Sequence, residues 1–206
     1  MRVRFALMML TATTLFADDS SNTNLNYSVL RSRTTQARGF TVEQIEFPNT
    51  AANNNCCATL QTWLVEPGDP TKRKLLFTNE RDAEVVFSEN AKWLFINNNA
   101  EEESEEILLY RQKKGLDYEL VSDLTSDAWD FFTKKSGRPQ PSDHYYVEVV
   151  CWTDDNTVLL RLFGNGGTYL ESWLCLYDVS SKKFSTDLDE HNKKQVRIFS
   201  DHVRGR

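Results

Sequence analysis

Glycine and proline are scarce in this sequence, and the basic charge that nucleic-acid binding requires is missing. There are 8 glycines and 5 prolines among 206 residues, too few for a low-complexity or collagen-like chain. The formal net charge is −6, whereas a nucleic-acid-binding protein needs a basic footprint to neutralise phosphates. Aromatic residues make up 12% of the chain, more than disordered chains carry. We therefore predict one folded domain, or two small ones, with a sizeable core and no nucleic-acid partner.

The sequence has no apolar run long enough to cross a bilayer, which takes about 20 residues. The uncharged stretch from Phe5 to Ala17 follows two arginines, Arg2 and Arg4, and ends at an abrupt polar segment. A basic head, a short apolar stretch and a small residue before a polar segment are typical of a secretory signal peptide. We predict a signal peptide over residues 1–17, a secreted or periplasmic location, and no integral membrane segment after cleavage. The alternative is an N-terminal helix that packs on the domain.

Cysteine is also sparse, with only Cys56, Cys57, Cys151 and Cys175. Four cysteines in an exported chain permit two disulfides with three connectivities. Bonds from the Cys56-Cys57 pair to Cys151 and Cys175 would close long loops and stabilise the fold by about 4 kcal/mol each in a loop-entropy account. The alternative is that the thiols are small buried hydrophobic groups, since Cys151 and Cys175 lie in apolar strand patterns. No cysteine or histidine pair has zinc-ligand spacing, and we predict no metal and no cofactor.

Hydrophobic patterning divides the rest of the chain into a polar leader, a β domain and a short tail. Residues 18–38 are rich in serine, asparagine, threonine and arginine, which predicts a flexible leader or a peripheral strand. Residues 39–199 carry short apolar segments separated by turn-forming residues, as expected for a single β domain. Residues 200–206 form a polar tail.

A single helix is predicted near residues 126–136, inserted between strands. The signals that mark its two ends are Thr125, Ser126 and Asp127 at the start and Lys134, Lys135 and Gly137 at the end. Hydroxyl caps and acids favour the start of a helix, and bases followed by glycine favour its end. The predicted fold class is therefore all-β with one inserted helix.

The β domain contains a repeated meander of antiparallel strands. We place a partial unit at residues 39–80 and full units at 83–122 and 145–188. The segment that begins at Phe87 matches the segment that begins at Trp152, since each has an aromatic residue, a short polar turn and an apolar run. If the two units are equivalent, both aromatic side chains end a first strand and occupy corresponding buried positions.

This unit resembles a blade of a TolB-like or WD40-like β-propeller. In those families an aromatic-Ser-x-Asp/Asn turn joins the first two strands, and Leu-Tyr-Asp ends the third. The matching residues here are Phe87 to Asn90 and Leu176 to Asp178. The resemblance implies stacked antiparallel four-strand sheets whose central strands are buried on both faces. The continuous apolar runs Ile107 to Leu109 and Val158 to Leu160 suit such strands.

The number of recognisable units leaves the closure of a propeller open. A closed ring needs at least four blades of about 40 residues, and the sequence has two full units and one partial unit. It also has no Gly-His or Trp-Asp dipeptide at the positions where WD40 repeats carry them. We expect a partial or small propeller, with an open stack, a divergent four-unit ring and a sandwich as the alternatives.

Motifs that carry chemistry are weak in this sequence. The acidic run Glu101 to Glu106 is typical of a solvated hairpin loop that protects a sheet edge, although Ca²⁺ or a basic partner is the alternative ligand. Asp143 and His144 lie near Ser142, but neighbours in sequence do not make a catalytic triad. The glycine-rich loop from Gly164 to Gly167 leads into a strand, whereas a phosphate cradle needs a helix N-terminus. The catalytic residues, if any, are therefore unknown.

These observations favour an exported, non-enzymatic protein that binds or scaffolds another macromolecule, either a protein or a glycan. The hypothesis rests on the fold resemblance and the weak catalytic motifs. One alternative is an extracytoplasmic hydrolase with dispersed acids on loops at one end of the sheets. A second is a protein inhibitor that uses a disulfide-fixed loop near Cys56-Cys57. A hydrolase requires a pocket with two acids, or an acid and a histidine, within hydrogen-bond reach.

Overall fold

A computed structural model describes residues 31–48, 58–99, 105–165 and 169–188. In this part of the chain three antiparallel four-strand sheets and one helix are present. The first sheet contains β1 (Arg31–Ala37), β2 (Phe40–Pro48), β3 (Ala58–Glu66) and β4 (Asp69–Asn79). The middle sheet contains β5 (Ala83–Phe87), β6 (Trp93–Asn98), β7 (Glu106–Lys114) and β8 (Asp117–Asp123). After the helix α1 (Thr125–Ser136), the third sheet contains β9 (Tyr145–Trp152), β10 (Thr157–Gly164), β11 (Leu170–Asp178) and β12 (Lys183–Ser185). The predicted all-β class with one inserted helix is confirmed.

Each sheet is a meander in which every strand pairs with its neighbour in sequence. The first sheet is more complete than the partial unit expected from the sequence, because residues 31–37 form its edge strand, which was the alternative to a flexible leader. A two-residue turn joins β1 to β2, and both Arg38 and Gly39 have positive φ, at 49° and 79°. Such turns match the twist of paired strands and are favoured in hairpins.

The middle sheet is buried on both faces. Leu94, Ile96 and Leu108 pack against Val42 and Leu64 of the first sheet. The alternate residues of the same two strands, Phe95, Ile107 and Leu109, pack instead against the third sheet and α1. Two-sided burial explains why β6 and β7 are continuously apolar, where a half-exposed strand would alternate apolar and polar residues.

The helix fills the core beside the third sheet. Trp129 and Phe132 are buried, with ring centroids 6.0 Å from Tyr145 and 5.2 Å from Trp173, respectively. The predicted end of the helix at Gly137 is confirmed. Gly137 is left-handed with φ 69°, and its N–H donates to the carbonyl of Thr133 at 3.0 Å. A left-handed glycine at this position is a common helix end.

The predicted N-terminal caps are wrong. Leu124 occupies the cap position, where it has no side-chain cap bond. The hydroxyl of Thr125 accepts a hydrogen bond from the N–H of Ile107 on β7, at 3.0 Å. The carboxylate of Asp123 accepts from the N–H of Thr125 at 2.9 Å and supplies part of the missing cap. A contact with the neighbouring strand therefore outweighs the local capping preference.

The two aromatic residues expected to be equivalent occupy corresponding places. Phe87 ends β5 and is buried, and Trp152 ends β9 and is half-buried. The turn after Phe87 is held by local bonds, since the Ser88 hydroxyl donates to the side-chain oxygen of Asn90 at 3.0 Å and accepts from the N–H of Trp93 at 3.1 Å. These bonds give the aromatic-Ser-x-Asn turn a structural role.

Candidate functional site

A cleft of about 600 Å³ lies where the middle sheet, the start of α1 and the turn between β11 and β12 meet. Its apolar lining includes Leu109, Leu124 and Val179, which also belong to the core shared by the middle and third sheets. Ligand-binding clefts are commonly of this size, with a largely apolar lining and a few polar groups. We call this feature the inter-sheet cleft.

Aromatic rings form part of the wall of the inter-sheet cleft. Trp93 comes from β6, Tyr177 from β11 and Phe184 from β12. The rings of Tyr177 and Phe184 lie 4.7 Å apart, and Phe184 also stacks on Phe131 of α1 at 5.2 Å. Because these rings brace one another, the wall is preorganised for a ligand.

Three charged side chains line the same cleft. Arg111 is paired with Glu119, to whose Oε1 its Nη2 donates at 2.6 Å and its Nε at 3.2 Å. Asp127 from the first turn of α1 and Lys182 from the β11–β12 turn have no ion pair within the described residues. The cleft therefore offers one unpaired charge of each sign.

Two further polar groups of the cleft have unused hydrogen-bonding capacity. Tyr177 is only 3% exposed, and its hydroxyl has no hydrogen-bond partner in the described ranges. Burial, with help from Asp127 and Asp178, raises the pKa of Tyr177, so its hydroxyl stays a donor at neutral pH. The indole N–H of Trp93 likewise has no partner among the residues that the structure describes. Neither atom is among the sealed, unpartnered polar atoms of the described residues, so both are accessible to a ligand that enters the cleft.

A second set of polar residues lies where the third sheet contacts the middle sheet, at a place we call the seam. Strand β9, an edge of the third sheet, contacts β5, β6 and β7 there. The side chain of Asn97 donates to the carbonyl of Val149 at 3.1 Å and accepts from its N–H at 2.8 Å. It also donates to Glu84 at 3.3 Å. Asn97 therefore satisfies the free edge of β9 and ties the two sheets together.

Carboxylates gather at the same seam. Burial raises the pKa of Glu105 to about 7, and the charges of Glu148 and Glu84 raise it further while Arg161 opposes them. Arg161 pairs with Glu148 at 2.7 Å, and one oxygen of Glu105 is buried without a hydrogen-bond partner in the described segments. No three His, Cys, Asp or Glu side chains are grouped as metal ligands within those segments.

A smaller cleft of about 380 Å³ lies beside the first sheet. Its lining includes Glu46, Glu80, Arg81 and Asp82. Glu46, Arg81 and Asp82 all interact with other residues of the protein. This cleft therefore has fewer polar side chains available to a ligand than the inter-sheet cleft.

Cys151 and Cys175 lie on β9 and β11, the two strands that flank β10. Cys151 is half-buried and Cys175 is buried, and within the described residues no disulfide joins them. Burial raises the pKa of Cys175 to about 12 and also raises that of Cys151, which makes both thiols poor nucleophiles. Cys56 and Cys57 lie outside the described residues, so the disulfide pairing and the inhibitor loop stay predictions.

The other sequence motifs do not converge on a cleft. Asp143 is exposed and its neighbour His144 is half-buried, with the His144 Nδ1 3.3 Å from the Asp143 Oδ1. Neither residue lines the two clefts described above. Gly164 has a packing role, because a Cβ there would lie 2.6 Å from the carbonyl oxygen of His144. Residues 101–104 of the acidic run and 166–168 of the glycine-rich loop lie outside the described residues.

Sequence reasoning missed the residues of the inter-sheet cleft. Trp93 lies in an apolar strand pattern that indicates a core position, and Tyr177 enters the sequence analysis only as part of a strand-end motif. Asp127 was used only as a helix-start signal. The one available signal was the Leu-Tyr-Asp motif, which places Tyr177 at the end of a third strand, next to a turn.

Comparison with known proteins identifies no relative. The chain matches no family model, and no curated protein and no solved structure is significantly similar to it. Within the described residues, no helix is long and apolar enough to cross a membrane.

Proposed function

We propose that this chain is an exported, non-enzymatic binding module that holds another macromolecule in the inter-sheet cleft. The observation that carries the proposal is the cleft itself, whose braced aromatic wall adjoins polar groups without partners. A cleft in which apolar side chains and convergent polar groups meet is a usual form of binding site. Among the described residues, Asp127 is the only carboxylate that lines it, whereas hydrolytic chemistry commonly needs a second acid or a histidine.

We propose further that the three sheets are blades of a divergent propeller of the TolB-like or WD40-like kind. Support comes from the repeated four-strand meander and from the hydrogen-bonded turn Phe87 to Asn90. Binding at the ends of strands, between adjacent blades, suits that architecture. Small-angle scattering of the purified protein tests it, because a ring and an open stack of three sheets differ in their radius of gyration.

Export is proposed from residues 1–17 alone. When the full chain is expressed in a secreting host, its N-terminus is expected to be at residue 18, in the medium or the periplasm. N-terminal sequencing of the recovered protein checks this. An intact N-terminus on protein retained in the cytoplasm would contradict it.

Site-specific photocrosslinking tests the binding function. A benzophenone amino acid replaces Val121, which lines the cleft and is 37% exposed. In the matched control the same amino acid replaces Thr78, an exposed residue of β4 in the first sheet. With extracytoplasmic material from the native source, adducts are expected from position 121 and not from position 78. Equal labelling at both positions, or none at either, would count against a binding cleft.

A hydrolase is the second candidate, and one observation favours it. Burial raises the pKa of Glu105 to about 7 and also raises that of the nearby Glu148, and carboxyls with strongly perturbed pKa values are a mark of catalytic sites. Neither Glu105 nor Glu148 lines either cleft described above. Neither cleft therefore gives a substrate access to these two carboxyl groups. Glycosidase and peptidase substrates turned over by the wild type but not by Glu105→Gln would establish this candidate instead.

A further inference from the structure

We propose that the ligand of the inter-sheet cleft is a glycan, one pyranose ring of which packs on the aromatic wall. The inference rests on the proposed binding function and specifies its ligand. It follows from four polar groups with unused hydrogen-bonding capacity around an apolar floor. They are the Trp93 indole N–H, the Tyr177 hydroxyl, the Asp127 carboxylate and the Lys182 ammonium group, none of which has a hydrogen-bond or ion-pair partner in the described part of the chain.

The donors and acceptors of the cleft call for a ligand that both donates and accepts. The indole N–H and the ammonium group only donate, the carboxylate only accepts, and the phenol does either. A sugar hydroxyl donates one hydrogen bond and accepts two, so adjacent hydroxyls of one ring satisfy Asp127 and Lys182 at once. A purely apolar side chain would leave all four groups desolvated and unpaired, which is costly.

The charge balance of the cleft favours a ligand without net charge. Arg111 and the neighbouring Lys113 share the Glu119 carboxylate, and the charges on Asp127 and Lys182 are of opposite sign. A phosphorylated or sulfated ligand would meet the Asp127 carboxylate without a second free cation among the lining residues. A neutral glycan meets no such repulsion.

The aromatic wall supplies the apolar contact that a pyranose needs. One face of a pyranose presents C–H groups, which pack on an aromatic ring while the hydroxyls point outward to polar partners. Trp93 and Phe184 are half-buried and line the cleft, whereas Tyr177 is buried and holds Phe184 in place together with Phe131. Rings that are already ordered lose little conformational entropy on binding.

An added peptide strand is the competing occupant, and the edge beside the cleft disfavours it. Strand β8 is the outer edge of the middle sheet. Its pairing with β7 is irregular at two places, between the partners of Leu109 and Tyr110 and between those of Gln112 and Lys114. Irregularities of this kind twist an edge strand and hinder the pairing of a further strand. A peptide would therefore lose much of the backbone bonding that such recognition uses.

The test uses the purified full chain and an array of soluble oligosaccharides built from glucose, mannose, galactose, N-acetylglucosamine and fucose. Sugars that bind the wild type are then titrated by calorimetry against Asp127→Ala and Lys182→Ala. Both side chains are exposed at the rim, so these variants are expected to fold. Each is expected to weaken binding at least tenfold.

Two tryptophan substitutions, one in the cleft and one outside it, provide a matched test and control for the sugar titration. Trp93→Phe removes the N–H donor of the cleft and keeps a ring, and it is expected to weaken binding at least fivefold. Trp63→Phe is the control, because Trp63 is also half-buried but lies on the first sheet, under Arg73. The control is expected to bind as the wild type does. Near-ultraviolet circular dichroism of each variant establishes that the fold is retained.

The outcomes separate this proposal from the proposed function. An array on which no sugar binds, or sugar binding that survives both Asp127→Ala and Lys182→Ala, overturns the glycan proposal. A displayed library of random dodecapeptides is selected in parallel against the same proteins. Peptides that need Asp127 or Lys182, in the absence of bound sugar, overturn the glycan and leave the binding cleft standing. If neither sugars nor peptides depend on the cleft and position 121 yields no specific adduct, both proposals fall.

Discussion

The indole N–H of Trp152 donates to the main-chain carbonyl of Val86 at 3.1 Å. Trp152 ends β9 in the third sheet and Val86 belongs to β5 in the middle sheet, so this bond joins two meanders that are far apart in sequence. The same indole packs against Phe95, with ring centroids 5.7 Å apart. One side chain therefore supplies both a directional bond and apolar contact across the seam.

Replacing Trp152 by Phe removes the bond and keeps much of the ring contact. The carbonyl of Val86 loses its partner, and we expect the free energy of unfolding to fall by about 1–2 kcal/mol. Urea denaturation followed by far-ultraviolet circular dichroism measures this. Trp63→Phe is the control, since Trp63 donates only to the nearby Gln61 on the first sheet and should cost less. If Trp152→Phe is as stable as the wild type, the bond does not join the sheets in solution.

Asn97 is expected to be more sensitive, because its amide makes three bonds at the seam. In Asn97→Leu the N–H and carbonyl of Val149 both lose their partners inside the protein, and Glu84 loses a donor. A loss of about 2–4 kcal/mol is expected, since each unsatisfied buried group costs about 1–3 kcal/mol. Hydrogen exchange at the Val149 amide should accelerate together with the drop in stability.

The exposed Asn156 provides the comparison for Asn97. Its side chain accepts a hydrogen bond from Ser180 at 3.0 Å in a turn, so Asn156→Ala should change stability by less than about 1 kcal/mol. Equal effects of the two substitutions would show that Asn97 has no special role at the seam.

The core of this fold was predictable because its signals are local. The continuous apolar runs at β7 and β10 predict strands that are buried on two faces. The structure confirms this burial and places Ile107, Leu109, Val158 and Leu160 in one core cluster. The C-terminal end of α1 was equally predictable from the sequence, since a glycine that stops a helix acts within one helical turn. Its start was not, because the hydroxyl of Thr125 bonds to a strand 18 residues away in sequence.

The inter-sheet cleft was not predictable because it forms where separate elements meet. Trp93, Asp127 and Lys182 come from a strand, a helix and a turn, and only the packing of the second and third sheets brings them to one place. Trp93 and Tyr177 lie in apolar patterns that indicate core positions, and both do contact the core. Periodicity does not reveal that their polar atoms lack partners.

The thiols of Cys151 and Cys175 are expected to resist alkylation in the folded protein. Burial raises both pKa values, that of Cys175 to about 12, so little thiolate is present at pH 8 and access is limited. Iodoacetamide should label Cys151 slowly and Cys175 only after unfolding, as read by peptide mass spectrometry. Denaturation without reductant provides the decisive comparison. If both residues then stay unlabelled, they are in disulfide bonds, and the free-thiol state is wrong.

Glu105 is expected to make the protein less stable as pH rises toward neutrality. Burial, with the charges of Glu148 and Glu84, raises its pKa from 4.5 to about 7 in the folded state. The folded protein therefore holds a proton that the unfolded chain releases, and the free energy of unfolding falls as pH rises from 4.5 through 7. Because Glu105 is partly exposed and solvent screens its neighbours, we expect a loss on the order of 1 kcal/mol.

Thermal unfolding at pH 5 and pH 8 measures this effect in the wild type and in Glu105→Gln. The amide stays neutral at both pH values, so the variant should lose less stability between them than the wild type. Glu119→Gln is the control of opposite sign, because hydrogen bonds from Lys113 and Arg111 lower the pKa of Glu119. Its contribution is lost only in acid, below the range compared. If Glu105→Gln keeps the full pH dependence of the wild type, Glu105 does not hold its proton at the seam.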